Sequence, residues 1–332
     1  MKEILKKFLK IGIPVIIGIA LIWFQFKDIE KDEFEAIKKA FQEANYSWII
    51  LSVILGILSH VSRAIRWSYT LQPLGYTPPF YNRFFAVMVG YLMNMLVPRM
   101  GEVSRAMVVL KTDDVPFDKG FGTIVAERIA DFLVLLTFII AVVWIQFDSL
   151  YELYAEDLAK INPWKFIILG VVGLAIAVFG WLFIKNSTNA IASKVRSFVI
   201  GIFEGVKSIL IMKDKWKFLF HTLFIWGMYY GMFWVATLCF PETTGVSAKG
   251  VVTAFVVGGL SIAFTNGGLG AYPLGVAKIM VLYGILEVYG VSFGWMVWSS
   301  QTIMILLLGI TSFILIPVFN KDVVDSGENI PT

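Results

Sequence analysis

Cysteine is nearly absent from this 332-residue chain. The single Cys239 excludes an intramolecular disulfide, and two histidines, His60 and His221, are too few and too widely separated for an evident metal cage. Charge is scarce as well: 16% of residues are charged, against 58% apolar and 15% aromatic. A soluble domain of this size has no use for so much apolar surface, so the composition points to a polytopic, all-α integral membrane protein. A net charge of +4 would hint at acidic partners in a soluble chain. In a membrane protein the placement of Lys and Arg says more than their sum.

Apolar runs near the length of about 20 residues that a helix needs to cross a bilayer cover Ile11 to Phe26, Tyr46 to Trp67, Gly122 to Phe147, Lys165 to Ile184, Trp216 to Phe240 and Phe293 to Val318. The first follows Lys2, Lys6, Lys7 and Lys10 as a signal peptide would. It ends at Trp23 and Phe24 without a small-residue cleavage site, which fits an uncleaved helix with a cytoplasmic N-terminus. The long polar stretch Lys185 to Lys217, with apolar Ile191, Val195, Phe198, Ile202 and Phe203, reads as one surface helix.

Two more apolar regions are interrupted. Asn82 to Leu110 is broken at Pro98 and Gly101, and Gly250 to Leu286 at Asn266-Gly-Gly-Leu-Gly-Ala-Tyr-Pro273. Helix-breaking backbone cannot face hydrocarbon, so each region is expected to be a shielded, re-entrant hairpin. Loop charge supports this. The stretches Ala64 to Arg83 and Arg99 to Lys119 both read as basic loops, which puts both ends of the first hairpin on the cytoplasmic side, while acidic Asp148 to Asp157 lies outside. The lysines of Lys27 to Lys39 are an exception, offset by alternating acids. The expected fold is about six transmembrane helices plus two hairpins entering from opposite faces, an arrangement of inverted repeats that builds a site near the bilayer midplane. It forms a single membrane domain over residues 1–320. Its first half is 1–147 with hairpin 82–110, its second half is 165–318 with hairpin 250–286, and a cytoplasmic tail covers 321–332.

The segment Asn94-Met-Leu-Val-Pro-Arg-Met-Gly-Glu-Val-Ser-Arg105 carries the most chemistry. Arg99, Glu102 and Arg105 repeat every third residue and share one face of a helix starting after Pro98. Two guanidinium forks suit a phosphate, with the acid holding one fork in place. The same charges also serve as a topological collar. Glu127, Arg128 and Asp131 begin the next span. Two carboxylates one turn apart need a cation between them, and Arg105 or Arg99 could supply it, giving either a structural ion pair or a proton- or ion-coupling site. In the second hairpin, Asn266, Gly267, Gly268 and Gly270 could form a backbone nest for an anion, with Pro273 as the first residue of the following helix, or serve close helix packing. His60, Arg63 and Arg66 share one face at the inner end of the second span, with Trp67 at the interface. They read as headgroup anchors, Arg63 also being a candidate substrate contact.

The combination Arg63-Ala-Ile-Arg-Trp67, Pro98-Arg-Met-Gly-Glu-Val-Ser-Arg105, Glu127-Arg-Ile-Ala-Asp131 and Gly267-Gly-Leu-Gly270 resembles the membrane region of lysylphosphatidylglycerol synthases, and in particular their stand-alone flippase-like proteins, over nearly the whole chain. In the full-length synthases this region is taken to move the aminoacylated lipid between leaflets, while a soluble domain performs the aminoacyl transfer. With that soluble domain absent here, the resemblance implies inner-membrane translocation of a phospholipid or lipid-linked precursor, or the handling of a lipid-linked substrate, and not synthesis; the chain is expected not to be an enzyme. The family pattern Pro-Gly-Gly-Leu-Gly-x-x-Glu has Asn266 and Pro273 here in place of its proline and acid, which argues against a lysyl-lipid substrate. The expected partner is a membrane lipid, alongside a second copy of the chain or a separate transferase; no nucleic acid, metal or cofactor is expected. The competing readings are a membrane-embedded enzyme acting on a lipid phosphate and a non-catalytic partner of a transferase.

Overall fold

The computed structural model describes residues 31–97, 99–147, 211–265 and 267–320, together with Ala20, Trp23 and Ile209. The spans expected at Ile11 to Phe26 and Lys165 to Ile184, the loop Asp148 to Asp157, most of the surface helix at Lys185 to Lys217 and the 321–332 tail lie outside these residues, as do Pro98 and Asn266. The described residues form nine α-helices and no strand: α1 Lys31–Glu43, α2 Tyr46–Leu71, α3 Phe80–Leu96, α4 Met100–Asp113, α5 Phe117–Ile145, α6 Lys215–Ala236, α7 Ala248–Phe264, α8 Ala271–Leu282 and α9 Glu287–Phe319.

Four of them, α2, α5, α6 and α9, are long and apolar enough to cross a membrane. Local chemistry sets their starts. The Asn45 side chain accepts from the Ser47 amide to cap α2, and prolines at 79 and 116 precede α3 and α5. The stretch beyond Ala64, expected as a loop, is helical to Leu71, because one apolar face continues through Trp67 to Leu71 and is buried. The stretch expected as a loop from Arg99 to Lys119 is mostly α4. Lys31 to Glu43, read as alternating charge, is the amphipathic α1 packed on α9.

The remaining apolar helices are too short to cross alone. At 1.5 Å per residue α3 and α7 reach about 25 Å, α4 about 21 Å and α8 about 18 Å, against about 30 Å of hydrocarbon. They pair as α3 with α4 and α7 with α8. Side chains fix where each pair begins and ends. Asn82, at the start of α3, donates to both Asp113 oxygens at the end of α4 at 3.1 Å, and exchanges bonds of 2.9 and 3.0 Å with Asn320 beyond α9. Both ends of this hairpin therefore lie on one face, with the end of α2 and the start of α6, where Lys217 sits over Tyr69. On the opposite face Asn45 donates to Cys239 at the end of α6. There Gln146, just past α5, donates to Thr253 and Tyr283 at the two ends of the α7–α8 hairpin. The two helix pairs thus have their open ends at opposite ends of the described bundle. Each has its own core: Ala86, Met88, Ala106 and Val109 around the first, and Ala254, Val276, Met280 and Phe293 around the second.

Their tips meet inside. A Cβ added at Gly267 would lie 3.9 Å from Met95 Cγ. Gly267, Gly268 and Gly270 have φ of 64°, 78° and 70°, a left-handed run that side-chain-bearing residues adopt at a steric cost. Pro273 is the third residue of α8, not its first.

Candidate functional site

The turn between α3 and α4 is built by the sequence around it. Val97 is extended, as a residue before proline favours, and Arg99 takes a left-handed φ of 65° before α4 starts at Met100. Asn94, on the last turn of α3, accepts from the Gly101 amide at 2.7 Å and so caps α4 from the neighbouring helix. Glycines let the two backbones touch: a Cβ at Gly90 would come within 3.0 Å of the Gly101 carbonyl, and one at Gly101 would run into the Gly90 carbonyl and Asn94.

This close crossing brings Arg105 of α4 into a buried cluster with α2 and α5. Arg63, Arg66, Arg105, Glu127 and Asp131 are all at most 7% exposed. Arg66 lies between the two acids, with Nε 3.1 Å from Glu127 Oε1 and Nη1 2.8 Å from Asp131 Oδ1. Arg63 Nη1 donates to Asp131 Oδ2 at 2.7 Å, and Thr222 of α6 accepts from Arg66 at 3.0 Å. Arg105 Nη2 stands 2.7 Å from Glu127 Oε2. The two are an ion pair, while Arg105 Nε and Arg63 Nε have no acceptor. Beneath Arg105 lies Trp67, its ring 3.8 Å from the guanidinium carbon and its indole N–H donated to Thr123 at 2.9 Å. Three arginines against two carboxylates leave one net positive charge.

The cluster opens into a cleft lined by Arg63, Tyr91, Asn94, Glu102, Arg105 and Arg128, among others. Its volume of about 10 Å3 admits roughly one water molecule. Glu102 and the half-exposed Arg128 meet at 2.9 Å at its edge. On the inner side Arg63 donates to the Tyr229 hydroxyl at 3.2 Å, which is 3.0 Å from that of Tyr91, whose ring packs on His60.

The expected residues divide accordingly. Asn94, Glu102, Arg105, Glu127, Arg128, Asp131 and Arg63 are brought together. Arg99 is not: its left-handed turn takes it off the α4 face, and it is exposed and away from the cleft lining. Gly267, Gly268 and Gly270 do not line the cleft; Gly267 alone comes near the first hairpin, at Met95, and its carbonyl accepts from Trp298 at 2.8 Å. Glu102 pairs with Arg128 rather than steadying Arg99 or Arg105. The cation between Glu127 and Asp131 is Arg66, which the sequence reading had placed at the interface. Arg66 and Trp67 are instead fully buried, because α5 and α6 pack over that end of α2. Tyr91 and Tyr229 carried no sequence signal, since an aromatic in an apolar helix looks like any other.

Comparison with known proteins places the chain among membrane proteins. A UPF0104 membrane protein of Methanocaldococcus jannaschii is 28% identical over 160 residues, covering 47% of this chain and 42% of that protein. One from Pyrococcus horikoshii is 25% identical over 179 residues, 53% of this chain and 50% of the relative. A second from M. jannaschii is 26% identical over 117 residues, 35% and 48% of the two chains. The chain thus spans about half the length of the curated relatives it matches. No solved structure matches it. The family described as the lysylphosphatidylglycerol synthase TM region matches residues 11–309, a range that takes in both hairpins and the whole arginine cluster, and the chain belongs to that family.

Proposed function

We propose that this protein moves a phospholipid or lipid-linked precursor between leaflets, taking its phosphate at the arginine cleft. The observation that carries this reading is Arg105: a buried guanidinium, stacked on Trp67 and ion-paired to Glu127, whose Nε has no acceptor at the wall of a cleft. A buried donor without an acceptor is costly, and a phosphoryl oxygen is the acceptor that a guanidinium fork fits best. The site's depth suits a headgroup drawn inward. Arg63 and Arg105 each lie eight residues, about 12 Å, from the ends of α2 and α4 at the basic face, the face that the positive-inside rule assigns to the cytoplasm of the cell's inner membrane.

Closed as it is, the cleft holds no phosphate, so the headgroup enters when the tip of α4 parts from α5 at the Glu102–Arg128 pair. The polar line from Arg63 through Tyr229 and Tyr91 to His60 then continues inward. In this reading the chain is a transporter and not an enzyme. The test is fluorescent-phospholipid exchange in proteoliposomes: Arg105→Ala is expected to slow exchange by roughly tenfold or more, the loss of one strong contact. Exchange at the wild-type rate by a folded Arg105→Ala protein would remove Arg105 from the mechanism.

A further inference from the structure

The polar line that reaches His60 has a continuation on α2. Ser52, Gly56, His60 and Arg63 recur at intervals of four, four and three residues and so share one face of the helix. Their contacts agree: Arg63 reaches Asp131, His60 packs on Tyr91, and Ser52 and Gly56 meet Gln301 of α9. The stripe runs about 17 Å along the helix. It stops about 9 Å short of the start of α2 at Tyr46, the end away from the basic face.

Close packing accounts for the serine and the glycine but not for the rest. A Cβ at Gly56 would come within 2.9 Å of Gln301 Oε1, so α2 and α9 approach closely there. Yet that oxygen and Nδ1 of His60, a residue only 3% exposed, are buried without a hydrogen-bond partner. The bond across the contact, from Gln301 Nε2 to Ser52 Oγ, is long at 3.4 Å and readily exchanged. Elsewhere α2 packs chiefly against α6, and α9 against α3 and α8, which makes this face a seam between two groups of helices. Unsatisfied polar atoms along a seam in apolar surroundings are costly unless something polar occupies it at another stage of the protein's cycle.

We infer that this seam is the far half of the headgroup's route: His60, Ser52 and Gln301 form an uncharged hydrogen-bonding station that takes the oxygen atoms of a lipid headgroup once it leaves the arginines. The inference rests on the proposed transport and adds where the headgroup goes. A route needs a second, weaker site, because a phosphate held only by buried guanidinium groups would leave slowly. Neutral donors hold phosphoryl and hydroxyl oxygens less tightly than charged ones do. The Gln301 amide can turn Nε2 from Ser52 to the ligand, and the His60 ring and the Ser52 hydroxyl each supply a further donor. Tyr91 and Tyr229, with hydroxyls 3.0 Å apart, bridge the two sites.

The test pairs two measurements. Exchange of acyl-labelled fluorescent phosphatidylglycerol is followed in proteoliposomes, and binding of dioctanoyl phosphatidylglycerol is read from thermal unfolding of the full chain in detergent. Gln301→Leu and His60→Leu keep most of the side-chain volume and remove the station's hydrogen bonds. Each is expected to slow exchange about tenfold, the loss of one contact, with half-saturation by the dioctanoyl lipid unchanged because the arginines still hold it. With Cys239 replaced by Ser, Ser52→Cys is expected to react with an impermeant thiol reagent from the side of sealed vesicles on which Lys249 lies, although Ser52 is buried as the seam stands. A cysteine in a permanently packed interface would stay inert, and that result overturns the inference. So does exchange at the wild-type rate in either leucine variant, or binding that weakens in step with exchange. If Arg105→Ala slows exchange and Gln301→Leu does not, the station falls and the arginine cleft stands. A wild-type protein that exchanges no lipid overturns both.

Discussion

At the scale of single residues, the buried cluster and the pair at its edge should respond very differently to substitution. Removing one member of a buried, interlocked set strands its partners. Asp131→Asn leaves Arg63 and Arg66 short of a counter-charge and is expected to cost about 3–5 kcal/mol. The half-exposed Glu102–Arg128 pair is screened by solvent, and Glu102→Gln should cost no more than about 1 kcal/mol. Chemical denaturation of both variants in the same detergent checks the contrast. Comparable losses would mean that Asp131 is not the anchor its contacts suggest. Asn94 serves the fold before any ligand. Its oxygen is occupied by the Gly101 amide, so its first task is to start α4; its amide faces the cleft as a neighbour rather than as a charged ligand.

At the scale of elements, the first hairpin depends on how closely α3 and α4 approach. Gly101→Ala puts a methyl group into the Gly90 carbonyl and the Asn94 side chain, neither of which can yield without opening the crossing. The expected cost is about 1–3 kcal/mol, as for overpacking a tight interior. Because the same crossing aims Arg105 at Glu127, lipid exchange should fall along with stability. Denaturation and proteoliposome exchange on the same preparation measure both; a stable Gly101→Ala protein with normal exchange would show that the crossing is looser than its contacts imply. The break itself was legible in the sequence, since proline and glycine in an apolar run have few other uses. Where each charge points was not. Three residues at a spacing of three share a helical face only if all three are helical, and Arg99 sits in the turn.

At the scale of the whole molecule, the expected entry of the two hairpins from opposite faces divides the surface into two sets of positions. With the buried Cys239 replaced by Ser, cysteines introduced at exposed Lys111, Lys119 or Lys217 should react with an impermeant thiol reagent from one side of sealed vesicles. Those at Lys249 or Glu287 should react from the other. Labelling of Lys111→Cys and Lys249→Cys from the same side would mean that one of the hairpins is a full crossing.

The sequence by itself determined the class and the broad plan. Apolar length marked the four long helices among the described residues, because a bilayer leaves the backbone few alternatives, whereas α1 and α4 lie in stretches whose charge read as loop. Interrupted runs marked the breaks between the paired short helices. Tertiary structure decided which charges meet. Arg66 and Trp67 near the end of a span read equally well as anchors at a water interface or as a buried cluster, because periodicity records a shared face and not what packs against it. The choice was made by α5 and α6, which lie 61 and 156 residues away at their contacts with Arg66. They close over the end of α2 and supply Glu127, Asp131 and Thr222, which together make a buried guanidinium affordable.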